Sequence, residues 1–330
     1  MTRRFIATLA VVALSASPAA AQSAGTYAAP RTPDGQPDLQ GMWNNETLTP
    51  FERPTSMTDK AFLTEEEAAA RNRQSDERRA AADAASEVRT EPLPVGGNIG
   101  GYNQFWFDPG RRVLSTRQTS MVVDPPDGRV PVKPWAVAAR AHNLAHVGDS
   151  YVHMSVWDRC LSRGVPGSMF PAGYNNAYRI LQTPDHVTII YEMIHDVRII
   201  PLDNRPHIDR DIKLWMGNSR AHWDGDTLVV ETRNFHNRGW IASSAAGGRI
   251  KGIPTSKALY VVERFTRVSD DTIMWDMTVE DPNVYTRPWT VSMPLTRRPS
   301  YQMFEYACHE GNWAVRNALS GSRAVERAAR

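Results

Sequence analysis

The sequence carries little net charge. It has 38 lysine and arginine residues against 36 aspartate and glutamate residues, which leaves a formal net charge of +2 at pH 7. Lysine is scarce, and the arginines are scattered along the chain rather than clustered. Because nucleic acids and anionic membranes are bound through concentrated positive charge, the sequence gives no support for a nucleic-acid partner.

The sequence also lacks a long hydrophobic run. The apolar stretch at 5–14 is well short of the roughly 20 residues that a membrane-spanning helix needs. It follows Met-Thr-Arg-Arg and precedes a small-residue site at Ala19 and Ala21, which is typical of a secretory signal peptide. We therefore expect cleavage of residues 1–21 near Ala21, and a periplasmic or secreted protein with no membrane span.

Cysteine is nearly absent, since Cys160 and Cys308 are the only two. In an exported protein, an even number of cysteines favours a disulfide bond. In the chain-entropy treatment, a bridge across so long a loop contributes on the order of 4–5 kcal/mol. Zinc held by the two thiolates and His309 is the alternative, although the C-x-x-C pair common in such sites is missing.

Several motifs of cofactor and metal chemistry are absent. The segment V-G-G-N-I-G-G at 95–101 lacks the Lys-Ser/Thr of a phosphate-binding loop, and Gly167-Ser168 is not part of a Gly-x-Ser-x-Gly nucleophile turn. His142 and His146 have the i, i+4 spacing of a metal pair but lack the His-Glu-x-x-His context. We predict neither an organic cofactor nor a metal.

The segment at 22–57 is rich in Pro, Gly, Thr and Asn, which favours an extended arm. A tail free in solution would rarely carry Trp43 and Phe51, so the arm is expected to lie on the domain and to bury them. The segment at 58–92 contains a surface helix without an apolar stripe. Its N-cap is predicted at Thr64.

The remaining segment, 93–330, is predicted to be one β domain. An insert at 235–256 interrupts its strands and is expected to be a mobile loop or lid. Ten short runs with turn residues between them are predicted as strands, at 178–182, 187–193, 197–202, 212–216, 219–223, 227–234, 258–268, 272–280, 290–295 and 301–307. A further strand at 119–123 is expected to pair with 129–132. A long meander should close to avoid exposed edges, so the fold class is mainly β. We predict an antiparallel calycin- or lipocalin-like barrel with the arm, the surface helix and a C-terminal helix at 313–330.

One stretch, 157–202, concentrates groups suited to binding. Its loop at 159–176 is dense in Gly, Pro, Asn and Tyr, and loops held on a sheet commonly carry binding groups. We expect this loop to fold over the barrel mouth and form the pocket. Amides and phenols beside aromatic rings suit sugars and phenolic molecules. The predicted ligand-binding residues are Arg163, Tyr174, Asn175, Asn176, Tyr178 and Arg198.

His195 has neighbours suited to proton transfer, because it follows Glu192 by three residues and precedes Asp196. Imidazole is the side chain best suited to acid–base work near neutral pH. On a strand, Glu192 and His195 would face opposite sides, whereas around a turn they could converge. We predict His195 as the catalytic acid or base with Glu192 as its partner. A merely hydrogen-bonded histidine is the alternative.

Five predicted strands each carry one acid among apolar residues: Glu192, Glu231, Glu263, Asp276 and Glu305. In one interpretation these acids lie on a solvated outer face and form cross-strand ion pairs. In the other, they line a polar barrel interior that holds a ligand between carboxylates and guanidiniums.

Six phrases resemble those of a family of secreted proteins from soil and aquatic Gram-negative bacteria. They are TPDGQPDLQGMW (32–43), SMVVDPPDGRVP (120–131), RCLSRGVPGSMFPAGYNN (159–176), YEMIHDVRIIPLD (191–203), WDGDTLVVETRNF (223–235) and FEYACHEGN (304–312). The resemblance implies export and one continuous domain, but no established reaction and no catalytic residue. Residues 137–153 differ from the expected phrase, so a site built on His142, His146 and His153 would be particular to this protein.

Together these features favour an exported, small-molecule-binding barrel. We expect an enzyme that uses cofactor-independent acid–base chemistry, as a lyase, isomerase or hydrolase, on a small polar, sugar-like or phenolic substrate. A lipocalin-like periplasmic carrier without turnover is the alternative, and a structural protein of the envelope is a third possibility.

Overall fold

The computed structural model describes residues 27–84 and 107–330. The predicted signal peptide and the Gly-rich segment at 95–101 lie outside these residues. The strands and α-helices, in chain order, are β1 (Gly41–Asn44), α1 (Glu65–Asp83), β2 (Val122–Asp124), α2 (Pro134–Ala145), β3 (Ala177–Gln182), β4 (His186–Tyr191), β5 (Val197–Pro201), β6 (Asn218–Asp224), β7 (Thr227–Arg233), β8 (Tyr260–Ser269), β9 (Thr272–Glu280), β10 (Trp289–Arg297) and α3 (Ala314–Ala328).

Nine strands form one antiparallel sheet in the order β5-β4-β3-β1-β10-β9-β8-β7-β6, and β2 pairs with β10 beside this path. The sheet curls into a nearly closed barrel, which confirms the predicted fold class. Its two end strands, β5 and β6, meet through a side chain. Arg198 on β5 donates from Nε to Ser219 Oγ on β6 at 2.9 Å and from Nη2 to Thr232 Oγ1 on β7 at 2.8 Å.

The alternation of each strand directs one row of side chains into a shared core. On β9 the buried residues are Ile273, Trp275, Met277 and Val279, with half-buried residues between them. Trp275 pairs in register with Phe265 and Met293. The largest fully buried side chains include Trp43, Trp275, Trp289, Tyr191, Phe170 and Phe265. Large rings therefore fill the barrel interior.

The N-terminal arm is more deeply integrated than expected. Trp43 and Phe51 are buried as predicted, but the arm also supplies β1, which pairs with β3 on one side and with β10 on the other. Because β1 is only four residues long and is surrounded by Pro and Gly, it shows too few alternations to be recognised from sequence.

The predicted helices agree with the structure. Thr64 caps α1, and its hydroxyl accepts from Glu67 N while the Glu67 carboxylate accepts from Thr64 N, which completes a capping box. The C-terminal helix is present as α3. The insert at 235–256 is not loosely attached, because Ile241, Ile250 and Ile253 are buried in the core.

Three strand predictions are wrong. Residues 129–132 do not pair with β2, whose partner is β10, and 212–216 makes only an isolated bridge between Leu214 and Phe235. The latter loop is held instead by Asn234, whose Nδ2 donates to the Asp209 and Ile212 carbonyls. The third segment, 301–307, is not a strand. Its polar groups bond to residues at the end of β4, which makes it part of the candidate site.

Candidate functional site

The loop at 159–176 is anchored at its start by the predicted disulfide, which joins Cys160 to Cys308 with a Cα–Cα distance of 5.6 Å. Both sulfurs are bonded, so the alternative zinc site has no thiolates. The middle of the loop inserts Phe170 into the core. The centroid of its ring lies 4.6 Å from that of Phe51 and 6.4 Å from that of Trp275. The loop is thus fixed both by a covalent bond and by packing.

A tight turn after β4 places the two predicted catalytic residues in the wall of one hollow. Ile194 has φ +66° and His195 has φ +49°, so two consecutive non-glycine residues lie in the left-handed region. This conformation is a genuine outlier for a β-branched residue, and such strain is concentrated at functional sites. Glu192 and His195 consequently line one open hollow of about 500 Å³, together with Phe304 and Tyr306.

Glu192 is buried, and its carboxylate accepts several hydrogen bonds. Asn175 Nδ2 donates at 2.9 Å, the Tyr301 hydroxyl at 2.9 Å to each oxygen, and Phe304 N at 3.0 Å. Asn175 reaches the carboxylate because it adopts the left-handed conformation (φ +51°), which asparagine tolerates better than most residues. Burial, followed by the Glu192 charge, raises the pKa of Tyr301.

His195 has an exposed ring that is held by the segment that replaces the predicted last strand. Nδ1 lies 2.7 Å from the Tyr306 carbonyl oxygen. Because a carbonyl can only accept, we assign the proton of the neutral ring to Nδ1, which leaves Nε2 as the basic nitrogen. The neighbouring Asp196 accepts from Ser162 Oγ at 2.9 Å and from Arg163 N at 3.3 Å, which ties the turn to the loop. Burial raises the pKa of Asp196 despite these bonds.

A second hollow, of about 520 Å³, lies beside the disulfide and has aromatic walls. Tyr174 and Tyr306 are stacked, with ring centroids 6.4 Å apart and planes inclined by 8°. Trp157 Nε1 donates to the Tyr306 hydroxyl at 3.2 Å, and Asn175 also lines this hollow. Of the predicted ligand-binding residues, Tyr174 and Asn175 are therefore brought together at an accessible surface.

The other predicted ligand-binding residues lie inside the protein. Arg163 is buried beneath Trp157, with its guanidinium 5.7 Å from the indole ring and Nη2 donating to the Phe170 carbonyl at 3.1 Å. Burial lowers the pKa of Arg163. Asn176 donates to the Asp108 and Ala172 carbonyls, at 2.8 and 3.1 Å, and holds the loop in shape.

Tyr178 and Arg198 belong to the barrel interior. The Tyr178 hydroxyl is hydrogen-bonded to Asn45 Nδ2 and donates to the Met169 carbonyl, and burial raises its pKa. Arg198 forms a buried ion pair with Glu263, which also accepts from Trp275 Nε1 at 3.2 Å. The buried partners of Arg198 are protein groups, so the structure gives it an internal role.

The five strand acids divide between the two interpretations. Glu192 and Glu263 are buried, whereas Glu231 and Asp276 are half-buried and Glu305 is exposed. Neither the outer-face nor the interior interpretation therefore applies to the whole set. The alternation of polar and apolar residues could not separate the buried acids from the exposed ones. The face of a strand that carries the acid also carries apolar residues, so the pattern does not show whether that face is buried.

A larger cleft, of about 720 Å³, was missed by sequence reasoning. It is lined by Glu46, Asp108, Arg298 and Tyr301, among others. Glu46 follows β1, whereas Asp108 lies far along the chain, beyond α1, so no local motif could join them. Only the pairing of β1 with β10 places Glu46 beside the residues that follow β10.

The three histidines of the divergent segment do gather at the end of α2. The ring centroid of His142 lies 4.2 Å from that of His146 and 5.2 Å from that of His153. Within 27–84 and 107–330, however, no group of three or more His, Cys, Asp or Glu side chains is arranged to hold a metal ion.

Comparison with known proteins gives no relative. No family model matches the chain, and neither the curated proteins nor the solved structures contain a match. No helix in the described part of the chain is long and apolar enough to cross a membrane. Function must therefore be inferred from the geometry of the hollows.

Proposed function

We propose that the protein is an exported enzyme that performs cofactor-independent acid–base chemistry on a small phenolic or sugar-like molecule. The observation that carries this proposal is the strained turn at Ile194 and His195, since an exposed histidine and a buried glutamate line one accessible hollow there. A structural turn at this place would be more stable with glycine, which adopts positive φ without strain. The strain is supported by the surrounding fold and serves the placement of His195.

His195 is the proton-transfer group in this proposal. The Tyr306 carbonyl fixes the ring through Nδ1, so Nε2 can take a proton from a substrate C–H or O–H group and return it later. The Glu192 carboxylate in the same hollow stabilises the imidazolium that forms. Its donors, Asn175 and Tyr301, hold it in a single orientation.

The substrate class follows from the walls of the adjoining hollow. Tyr174, Tyr306 and Trp157 present flat apolar faces, and Asn175 presents an amide. Aromatic faces together with a few hydrogen-bonding groups suit a phenolic ring or the apolar face of a sugar. Phe304 and Tyr306 line both hollows, so a ligand bound on these rings would lie near His195.

The carrier alternative has less support. A lipocalin-like carrier needs room inside the barrel, whereas Trp43, Trp275, Trp289 and Phe170 fill the interior here. The accessible hollows at the loop are lined by titratable groups, among them Glu192 and His195, rather than by an apolar surface alone.

The test is turnover in D₂O. The purified protein is incubated with a library of hydroxylated aromatic acids and phenolic glycosides, and substrate loss and deuterium incorporation are followed by mass spectrometry. We expect activity on at least one compound, and we expect His195→Ala to abolish it with a nearly unchanged Tm, because the ring is exposed. His222→Ala, an exposed histidine on β6, is the matched control and should remain active.

Full turnover by His195→Ala would disprove the catalytic role. Binding of library members without any chemical change, even at high protein concentration, would favour the carrier.

A further inference from the structure

A further cleft, of about 520 Å³, has two arginines in its wall and no acid. We call it the arginine cleft after Arg179 on β3 and Arg297 at the end of β10. Within 27–84 and 107–330, neither guanidinium forms an ion pair or a hydrogen bond. The neighbouring Arg298, by contrast, is paired with Glu46. The arginine cleft therefore carries positive charge that no side chain in its wall neutralises.

Both guanidiniums are available to a ligand. Arg179 is exposed, whereas Arg297 is half-buried and its Nε is a buried donor without a partner among the described residues. Gly41 lines the cleft at this point, and a Cβ there would lie only 3.7 Å from Arg297 Nε, so the glycine leaves space beside the arginine. A buried donor without an acceptor costs free energy, and an anionic ligand would remove that cost. Guanidinium groups suit planar carboxylates in particular.

The arginine cleft adjoins the hollow at His195. Met303 lines both of them. Arg179 pairs in register with Ile190 on β4, and Ile190 also lines the hollow. Because neighbouring strands lie about 4.8 Å apart, one small molecule that crosses Met303 can reach both the arginines and the hollow.

The charges of the two spaces determine how such a molecule would lie. Glu192 and the exposed Glu305 line the hollow at His195, so that end disfavours a carboxylate. The arginines favour a carboxylate at the other end. Between the two ends, Met303 and Phe304 offer apolar surface for a ring. The arrangement therefore fits a molecule with an acidic group at one end and a neutral aromatic group at the other.

We propose that the arginine cleft binds the carboxylate of the substrate, which makes the substrate a hydroxylated aromatic acid rather than a neutral glycoside. Arg179 and Arg297 donate to the carboxylate, the ring lies against Met303 and Phe304, and the phenolic hydroxyl faces His195. The choice of substrate class rests on the function proposed for His195, whereas binding of the acid can be measured without turnover.

The test is calorimetric titration of the purified protein at pH 7 with 4-hydroxycinnamate and with its methyl ester, which has the same ring but no charge. We expect the acid to bind wild type about tenfold more tightly than the ester. Arg179→Gln and Arg297→Gln should each weaken binding of the acid by about tenfold and change binding of the ester by less than about twofold. Arg210→Gln is the matched control, because Arg210 is exposed and lies outside the arginine cleft and the hollows.

The ester also reports whether a variant has kept its fold. A loss that is confined to the acid is due to the missing guanidinium, whereas an equal loss for acid and ester indicates a damaged site. Arg179 is exposed on the outer face of β3, so Arg179→Gln should keep the Tm of wild type and decides the test if Arg297→Gln folds poorly.

Equal binding of acid and ester to wild type, no binding of either, or full binding of the acid to Arg179→Gln would overturn the proposal. Failure of the function proposed for His195 would look different, because the acid would still bind through the arginines but would remain chemically unchanged. Turnover of a neutral glycoside that persists in both arginine variants would keep the role of His195 and overturn the assignment of the cleft.

Discussion

At the scale of single residues, the fold surrounds a buried charged group with specific hydrogen-bond partners. Glu192 is the clearest case, because it is buried and yet has no arginine or lysine among its hydrogen-bond donors. Neutral donors stabilise its charge instead, two from side chains and one from the backbone. Replacement of this carboxylate should therefore disturb the loop, the turn and the segment at 301–307 together.

Glu192→Gln is expected to lower the free energy of unfolding by about 1–3 kcal/mol, because the amide nitrogen cannot accept from the donors that faced a carboxylate oxygen. Urea denaturation measures the change, and Glu280→Gln, on an exposed position of β9, should lie within about 0.5 kcal/mol of wild type. An unchanged midpoint for Glu192→Gln would show that its hydrogen bonds contribute little.

The raised pKa of Glu46 predicts a pH dependence of stability. Its ordinary value is 4.5 and its folded value is about 7, so folding favours the protonated form. The stabilising contribution is complete below about pH 4.5 and is lost as the pH rises through 7. We expect Glu46→Gln to lose less in Tm than wild type between pH 5 and pH 8, measured by differential scanning calorimetry. A parallel loss in both proteins would contradict the shift.

At the scale of elements, the sequence predicted the β meander well and its exceptions poorly. Strands such as β8 and β9 are long, alternate regularly and are bounded by turn residues, so their periodicity is visible without tertiary information. The segment at 301–307 has similar residues, but its N–H and C=O groups are used by Glu192 and His195 rather than by a neighbouring strand. Local pattern cannot show which partner a backbone group will find.

The candidate site, too, could be predicted from the sequence only in part. The disulfide followed from export and from the cysteine count, and the loop at 159–176 was recognisable by its composition. The cleft at Glu46 and Asp108 was not, because its members come from separate segments that only the completed sheet brings together. The burial of Arg163 and Asn176 was also invisible, since their types are usually exposed.

The disulfide predicts a large loss when it is removed. It closes a loop with a sequence separation of 148, for which the chain-entropy treatment gives on the order of 5 kcal/mol. The double variant Cys160→Ala with Cys308→Ala should unfold at markedly lower urea concentration than the oxidised protein. Reductant added to wild type should reproduce the shift, and it should leave the midpoint of the double variant unchanged. Equal midpoints for oxidised wild type and the variant would contradict the prediction.

At the scale of the whole molecule, the barrel is closed by an ion pair rather than by a complete hydrogen-bonded ladder. Arg198 on β5 reaches Ser219 on β6, Thr232 on β7 and Glu263 on β8, so one side chain spans the seam. Buried charges cost desolvation, and such a pair holds a particular arrangement only while both members are present. The seam should therefore be the most sensitive point of the barrel to a change of charge.

Arg198→Met should destabilise the protein by about 3–5 kcal/mol, because Glu263 is left buried without its cation. Adding Glu263→Met should restore part of the loss, since the unpaired charge is then removed. Arg264→Met is the control, because Arg264 is exposed and its surface pair with Asp224 contributes about 0–1 kcal/mol. Urea denaturation of the three variants measures these changes in the free energy of unfolding. A double variant less stable than Arg198→Met would argue against an unpaired charge as the cause.

The position of β1 also has a kinetic consequence. This strand lies near the start of the described chain, and one of its partners, β10, lies near the end. The three strands β3, β4 and β5 join the rest of the barrel path through β1 alone. Contacts between such distant segments form late and make folding slow. A chain that emerges from its N-terminus must therefore keep residues 41–44 unpaired on the β10 side until nearly all of the barrel sequence has appeared.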